Sequence, residues 1–236
     1  MFDAVDTEFA PIKKKNRENL DNAKITPIHN DFQFAKNGIW VMIGSMGSSK
    51  TYNYLRIARR QEQRFDEPFY ETLTICSTSG EFDETVRSFK GTIQKSNQLT
   101  VQDNDLLEFL NQYIVKSKVH KSLNRYVKSK FKEADEGMSK LIEKFNLNTK
   151  EKLIDFIAES LTEIGWKTYP HRMLLILDDF ASHPLLKHKH YPLPALLKKL
   201  RHFNITVIIC VQTTMSIPPD IKRIASDYMI FPGISN

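Results

Sequence analysis

GSMGSSKT, residues 44–51, follows directly after the apolar run IWVMI, residues 39–43, and precedes the helix-like segment YNYLRIARR, residues 52–60. A buried strand, a turn rich in Gly and Ser, and a helix that opens on Lys-Thr form the layout of a P-loop, in which backbone N–H groups cradle phosphates. Lys50 would reach the outer phosphates and Thr51 would bind Mg²⁺. The sequence therefore predicts a nucleoside triphosphate site formed by Gly44, Ser45, Met46, Gly47, Ser48, Ser49, Lys50 and Thr51.

Position 49 departs from the usual P-loop pattern, which has Gly immediately before the Lys where this chain has Ser49. Gly is favoured at that position because the backbone curls tightly around an oxyanion, often at positive φ. Since Ser is small, we expect binding to be retained with some local strain. The competing interpretation is a strand-to-helix turn that binds no ligand.

A second predicted strand ends in two carboxylates. Residues 173–177 read MLLIL, and Asp178 and Asp179 follow them directly. Such a run is typical of a central parallel strand buried on both faces, and ligands of open α/β sheets bind at the carboxyl ends of the strands. Asp178 would hold Mg²⁺ through its water shell, as in a Walker B element, and Asp179 would be the general base that polarises the attacking water. Without a ligand, the same residues would be a strand followed by a turn.

A third predicted strand, residues 205–211, ends at Gln212, followed by Thr213 and Thr214. A Gln at the end of one strand is weak evidence by itself. Because carboxyl ends of parallel strands meet at one edge of a sheet, the P-loop, the two Asp residues and Gln212 are expected to converge. Gln212 could there hydrogen-bond the γ-phosphate or the water that attacks it.

The order of elements favours an N-terminal arm, residues 1–37, followed by one P-loop ATPase domain, residues 38–236. Strands that alternate with helices predict an α/β fold, with a mostly parallel sheet and helices on both faces. Along this chain, further strands are predicted after the P-loop strand, up to and including the strand that ends in the two Asp residues. This order is typical of RecA-like (ASCE) P-loop NTPases. Predicted strands are 38–43, 71–77, 99–101, 173–177, 205–211 and 227–231, and predicted helices are 50–64, 193–202 and a helical insertion at about 103–165 with breaks at Gly137 and 146–148.

Composition is that of an ordinary globular chain, with 41% apolar and 26% charged residues among 236. Cys76 and Cys210 both lie in apolar, strand-like runs, which favours reduced core thiols over metal ligands. No apolar run approaches the ~18 residues that a membrane helix needs, so no membrane span is predicted. The first residues show no basic start followed by an apolar stretch, so no secretory signal is predicted.

Positive charge is concentrated in one region of the chain. Residues 116–152 carry eleven Lys or Arg and five acidic residues, which accounts for the whole net charge of +6. A concentration of positive charge favours a polyanionic partner such as nucleic acid, although a solvated helix face is the equally weighted alternative. As DNA-binding candidates we take Lys128, Lys130 and Lys132.

The ordered set of motifs resembles the genome-packaging ATPases of poxviruses, other large DNA viruses and virophages, a viral branch of the FtsK/HerA superfamily. The segments that carry the resemblance are Gly44–Thr51, Leu174–Asp179, Arg201–Thr206 and the segment from Gln212 to Arg223. The resemblance covers about residues 38–232 and is least constrained in the helical insertion. It implies an ATP-hydrolysing motor with Mg²⁺ as cofactor, which translocates double-stranded DNA into a preformed capsid.

The resemblance also implies partners and a location. Members of this group work as rings, so a homo-oligomeric pentamer or hexamer is expected, with capsid vertex proteins as further partners. Arg201 and Arg223 match the basic positions of the group, and either would be inserted at the γ-phosphate of a neighbouring subunit. Arg201 is favoured because it precedes a core strand. The implied location is the host cytoplasm, at virus factories, with the virion as a second location.

Two other functions remain open at this level. A small-molecule or nucleotide kinase would share the P-loop, but it would require a phosphoryl acceptor and a lid with clustered Arg residues. A non-catalytic protein that binds ATP as a structural switch is the second alternative, which Ser49 in particular keeps open.

Overall fold

The computed structural model describes most of the chain after the N-terminal region. The described residues are Phe34, 37–64, 69–77, 86–87, 92–93, 96–129, Lys132, Ala134, 136–163, 171–180, 183–187 and 193–231. The predicted N-terminal arm therefore lies almost wholly outside the described residues, as does Lys130.

Within the described ranges, six strands form one sheet in which every neighbouring pair is parallel. The sheet order is β3-β2-β4-β5-β1-β6. We call the edge at which the strands end the carboxyl edge and the opposite one the amino edge. The strands are β1 (Ile39–Ile43), β2 (Thr72–Ser77), β3 (Asn97–Val101), β4 (Met173–Asp178), β5 (Ile205–Val211) and β6 (Asp227–Ile230).

β5 lies between β1, which leads into the Gly/Ser-rich loop, and β4, which ends at Asp178. A strand inserted at this place separates RecA-like ATPases from simpler P-loop folds, so the predicted fold class is confirmed. The inserted strand is the one that ends before Gln212. β2 and β3, which precede β4 along the chain and suggested the assignment, lie on the far side of β4.

Helices cover both faces of the sheet because the strands are apolar on both faces. In β1 the side chains of Ile39, Val41 and Ile43 enter one core, and those of Trp40 and Met42 enter the other. The first core receives α2, α6 and α7, and the second receives α1. The helices are α1 (Lys50–Gln63), α2 (Leu106–Lys128), α3 (Glu136–Phe145), α4 (Lys150–Glu163), α5 (Pro184–Lys187), α6 (Leu193–Leu200) and α7 (Pro219–Ile224).

The region predicted as a helical insertion, at about 103–165, contains α2, α3 and α4. These helices share a small core of their own, made by Leu123, Met138, Leu147 and Leu153. Asn146 ends α3 at a φ of 52°, as the predicted break requires, but Gly137 lies inside α3 and that predicted break is wrong. The second residue of a helix tolerates Gly, because its N–H has no partner within the helix.

Both cysteines are buried core residues, as predicted, and they form no disulfide. No helix of the described ranges is long and apolar enough to cross a membrane.

Candidate nucleotide-binding site

The loop between β1 and α1 has the backbone shape that phosphate binding requires. Gly47 has a φ of 77° and Ser49 a φ of 63°, so two residues of the loop are left-handed. A Cβ at Gly44 would lie 2.4 Å from Ser48 Oγ and 2.9 Å from Phe231 Cβ, closer than real contacts allow. The loop is therefore folded tightly on itself, and it passes directly into the first turn of α1.

Ser49 occupies the position at which the sequence pattern expects Gly, and its backbone conformation shows why Gly is usual there. A non-Gly residue in the left-handed region is destabilised by about 1–2 kcal/mol. Asn53 compensates in part, because both its backbone N–H and its Nδ2 donate to Ser49 O, at 3.0 and 2.8 Å. The predicted local strain at Ser49 is confirmed.

Replacement of Ser49 by Gly should raise the free energy of unfolding by about 1 kcal/mol, because Gly adopts a positive φ without steric cost. The measurement is thermal or denaturant unfolding of the full chain. Asn204→Gly is the matched control, since Asn204 has a φ of 57° but Asn tolerates this region. A loss of stability in Ser49→Gly would contradict the strain argument.

Polar groups of the loop are arranged for an anion. Lys50 Nζ donates to the carbonyl oxygens of Gly44 and Ser45, at 2.6 and 2.9 Å, which holds the ammonium group across the loop. The hydroxyl oxygens of Ser45 and Ser48 are buried and have no hydrogen-bond partner within the described part of the chain. Buried polar atoms are nearly always hydrogen-bonded, so these two hydroxyls are available to a bound ligand or to water. These groups and the N-terminus of α1 fit a phosphate chain.

Asp178 is brought to the start of α1, as the sequence predicts. Thr51 Oγ1 donates to Asp178 Oδ2 at 3.3 Å, so the hydroxyl and the carboxylate lie together at the carboxyl edge. Oxygen ligands of this kind are those that Mg²⁺ prefers. The donor set therefore fits a magnesium ion beside the phosphates.

Tyr54 is a residue of this site that sequence analysis missed. Its hydroxyl donates to the same Asp178 oxygen at 2.9 Å, and its side chain is completely buried. Burial first, and then the charge of Asp178, raises the pKa of Tyr54 well above its usual value, so the phenol stays protonated. The available signal was spacing: Tyr54 follows Thr51 by three residues, which places both on one side of the helix.

Cys210 lies beside the same carboxylate. The thiol is fully buried at the end of β5, and burial first, followed by the charge of Asp178, raises its pKa well above the usual value. Cys210 is therefore a neutral thiol, which adds no negative charge of its own beside Asp178.

Asp179 and Gln212 also meet, as predicted from their positions at the ends of two strands. Gln212 Nε2 donates to Asp179 Oδ1 at 3.2 Å, and both side chains are exposed. Asp179 has a φ of 56°, a left-handed conformation that Asp tolerates better than most residues. Residues in such sparsely populated backbone conformations persist only where the surrounding structure holds them in place. They cluster at functional sites.

The loop after Asp179 is tied to the turn that leads into α2. The rings of Phe180 and His183 are in tilted contact, with centroids 4.8 Å apart, and His183 Nε2 lies 3.0 Å from Asp103 Oδ2. Asp103 opens the short 3₁₀ turn before α2. A direct chain of contacts therefore joins the acidic strand end to the helical insertion.

Arg201 and Arg223 are not brought to this site within one subunit. Arg201 lies in the 3₁₀ turn that precedes β5, at the amino edge, where the turn contacts α2. Arg223 lies near the end of α7, shortly before β6, and pairs with Asp220 at 3.1 Å on the surface. Either side chain could therefore act at the phosphates only in the site of another subunit.

The DNA-binding candidates lie far from the loop. α2 begins at the carboxyl edge and passes the amino edge near Tyr113, whose hydroxyl donates to His171 O just before β4. At a rise of 1.5 Å per residue, Lys128 is about 33 Å along the helix from Leu106. Lys128 and Lys132 are both exposed, so the predicted basic surface stands beyond the amino edge.

The sheet order and the loop together define a P-loop NTPase of the RecA-like fold. Residues 70–203 match the family described as "Type I restriction and modification enzyme - subunit R C terminal". The chain belongs to this family. The matched range contains the helical insertion and β4, and it excludes the Gly/Ser-rich loop and β5.

Several solved structures are similar to this chain at low sequence identity, whereas no curated protein sequence matches it. EssC (ATPases 2 and 3) from Geobacillus thermodenitrificans is 12% identical with a TM-score of 0.49, over 84% of this chain and 33% of that one. B204, the DNA-packaging ATPase from Sulfolobus Turreted Icosahedral Virus, is 17% identical with a TM-score of 0.43, over 83% and 75%. The genome packaging NTPase B204 from Sulfolobus turreted icosahedral virus 2, in complex with ATP-gammaS, is 15% identical with a TM-score of 0.42, over 86% and 76%. This chain thus spans about a third of the EssC chain.

Proposed function

We propose that this protein is an ATP-hydrolysing motor subunit that moves double-stranded DNA, with the packaging of a viral genome as its task. The observation that carries the proposal is the meeting of three strand ends at the carboxyl edge. There the loop at 44–51 lies beside the Thr51–Asp178 contact, and the Asp179–Gln212 contact adds a carboxylate and an amide. A binding loop alone would suit a switch protein, whereas the second contact supports hydrolysis.

Each residue has a proposed role in the reaction. The backbone of the loop and Lys50 would bind the phosphates of ATP, and Thr51 and Asp178 would hold Mg²⁺, which neutralises charge on the β- and γ-phosphates when bound. Asp179 would accept a proton from the attacking water. Gln212 would hold Asp179 and the water in place, because its amide already donates to that carboxylate.

The remaining catalytic group, an Arg side chain, would come from another subunit. Phosphoryl transfer develops negative charge that an inserted Arg stabilises, and Arg201 or Arg223 would supply it in trans. Because both lie on the amino side of their own subunit, a ring that packs this side against the loop of its neighbour would complete each site. We propose such a ring, a pentamer or hexamer, in the host cytoplasm and in the virion, docked to capsid vertex proteins.

DNA is proposed as cargo on two grounds. First, the order of the motifs resembles that of genome-packaging ATPases. Second, the positive charge of the insertion provides a surface for the phosphates of DNA. Exposed Lys or Arg side chains follow each other along α2, at Lys116, Lys118, Lys121, Arg125 and Lys128. Contacts of this kind are made to the phosphate backbone, so they are independent of sequence and weaken with salt.

The decisive test is the rate of ATP hydrolysis by the full chain, with and without double-stranded DNA, over protein concentrations that span assembly. Hydrolysis that rises with DNA and with protein concentration is the expected result for an assembled motor. A rate indifferent to both would overturn the motor and favour the kinase alternative. Nucleotide binding without turnover would identify the switch protein.

Replacing Lys128, Lys130 and Lys132 by Gln should weaken binding to double-stranded DNA. Loss of three phosphate contacts should reduce the slope of log affinity against log salt by about 2 to 3. Fluorescence anisotropy with labelled duplexes of unrelated sequence, at several salt concentrations, measures both quantities. Lys198→Gln with Lys199→Gln, two exposed lysines of α6, is the control. Unchanged affinity and slope in the triple variant would remove these lysines from the DNA surface.

A further inference from the structure

The hydroxyl of Tyr54 has no role in packing the core in which it lies. Tyr54 belongs to the core between α1 and the sheet, together with Met42, Leu55 and Ile208. A Phe ring would fill the same space, and Phe34 in this core shows that phenyl rings are accommodated there. A buried hydroxyl is costly unless it is hydrogen-bonded. The Tyr54 hydroxyl meets this requirement by donating a hydrogen bond to Asp178.

Two hydroxyl groups of α1 donate to the same oxygen of the Asp178 carboxylate. Thr51 Oγ1 lies 3.3 Å and Tyr54 Oη 2.9 Å from Oδ2, and both donors come from adjacent turns of α1. Two donors on one oxygen fix the rotation of the carboxylate, and they leave Oδ1 unused by either of them. Of the two contacts, the one from Tyr54 is the shorter, and its side chain is the more deeply buried.

We propose that Tyr54 is a positioning residue, whose buried hydroxyl fixes Asp178 in the orientation that receives the Mg²⁺ of a bound nucleotide. This inference rests on the proposed function. Ligands of a metal depend on the groups that orient them, and loss of such a group typically lowers metal affinity by about 10- to 100-fold. The effect of Tyr54 should therefore appear in the magnesium requirement, and nucleotide binding without metal should be unchanged.

The experiment compares Tyr54→Phe with wild type in the binding of a fluorescent ATP analogue, measured without turnover while Mg²⁺ is titrated. We expect the Mg²⁺ concentration at half-saturation to rise about tenfold in the variant. Binding in excess EDTA should be the same in both proteins. Tyr113→Phe is the matched control, because Tyr113 is also buried and donates one hydrogen bond, to His171 O, away from the site. Its Mg²⁺ requirement should equal that of wild type.

A double-mutant cycle tests whether the hydroxyl acts through Asp178. In an Asp178→Asn background, adding Tyr54→Phe should change the Mg²⁺ requirement by less than about twofold, because the shared partner is already altered. Thermal unfolding of Tyr54→Phe and Tyr113→Phe shows whether any change is merely a loss of stability, since both lose one buried hydrogen bond.

The outcomes separate the inference from the proposed function. If wild type shows Mg²⁺-dependent binding and Tyr54→Phe has the same requirement, the positioning role is overturned and the proposed function stands. If Tyr54→Phe has its full effect in the Asp178→Asn background, the hydroxyl acts elsewhere and the inference is likewise overturned. If wild type binds no magnesium nucleotide, both fail together.

Discussion

Asp179→Asn is expected to lower the rate of ATP hydrolysis by about 10³-fold, because a general base contributes about 10²- to 10⁴-fold and an amide cannot accept the proton. Binding of ATP should remain within a few-fold of wild type, since the phosphates would be held by the loop and Lys50. The amide oxygen of Asn can still accept the hydrogen bond that Gln212 donates to Asp179 Oδ1. The substitution therefore removes the base and keeps the contact.

Asn is a better replacement than Ala for this test. Asp179 has a φ of 56°, and Asn, like Asp, tolerates the left-handed region, whereas Ala would add strain at the same position. A loss of activity in Asp179→Ala would therefore combine the missing carboxylate with a shifted backbone. Asp179→Asn separates the two effects.

Single-turnover hydrolysis and equilibrium binding of a fluorescent ATP analogue measure the two quantities for Asp179→Asn. Asp105→Asn is the control, because Asp105 is an exposed carboxylate of the turn before α2 and has no proposed part in the site. Turnover of Asp179→Asn within tenfold of wild type would show that another group accepts the proton.

The sequence predicted the site more completely than it predicted the sheet. Gly44–Thr51, Asp178, Asp179 and Gln212 each stand at the end of an apolar run, so strand-end positions could be read directly from hydrophobicity. The pattern also predicted strain at Ser49, which has a φ of 63°. Local sequence was sufficient because each of these features depends on residues close together in the chain.

Features that depend on distant parts of the chain were not accessible in the same way. β5 lies between β1 and β4 because it pairs with both, for example Ile209 with Val41 and Val207 with Leu175. Apolar strands of similar length can also pair in other orders, so hydrophobicity does not predict this one. Tyr54 could not be assigned to the site from the sequence, because its hydroxyl acquires its partner only when β4 comes to lie beside α1.

The two arginines show a third kind of difficulty. Arg201 precedes a core strand, and that position favoured it as the residue that reaches a γ-phosphate. A residue that precedes a parallel strand lies at the amino edge, however, and the nucleotide loop lies at the carboxyl edge. Sequence motifs give the distance of Arg201 from β5 along the chain, but in the proposed ring its distance from a phosphate would depend on how neighbouring subunits pack.

Lys50→Met is expected to weaken the binding of ATP by about 100-fold, which tests whether this loop holds a triphosphate. Charge-assisted hydrogen bonds contribute about 1.5–3 kcal/mol each, and each 1.4 kcal/mol is a factor of about ten in affinity. The ammonium group is also part of the loop itself, because it donates to the carbonyl oxygens of Gly44 and Ser45. Met removes both the charge for the phosphates and these two bonds.

Lys50→Arg distinguishes charge from geometry at the same position. A guanidinium group keeps the positive charge, but it is planar and larger than an ammonium group, so it cannot replace a point charge between two carbonyl oxygens. We therefore expect Arg to restore little of the lost affinity. Lys198→Met, on the exposed side of α6, is the control for removal of one charge. If Lys50→Met binds ATP within fivefold of wild type, the loop does not hold a triphosphate. The roles given to Asp178 and Asp179 would then lose their basis, because both depend on phosphates bound at this loop.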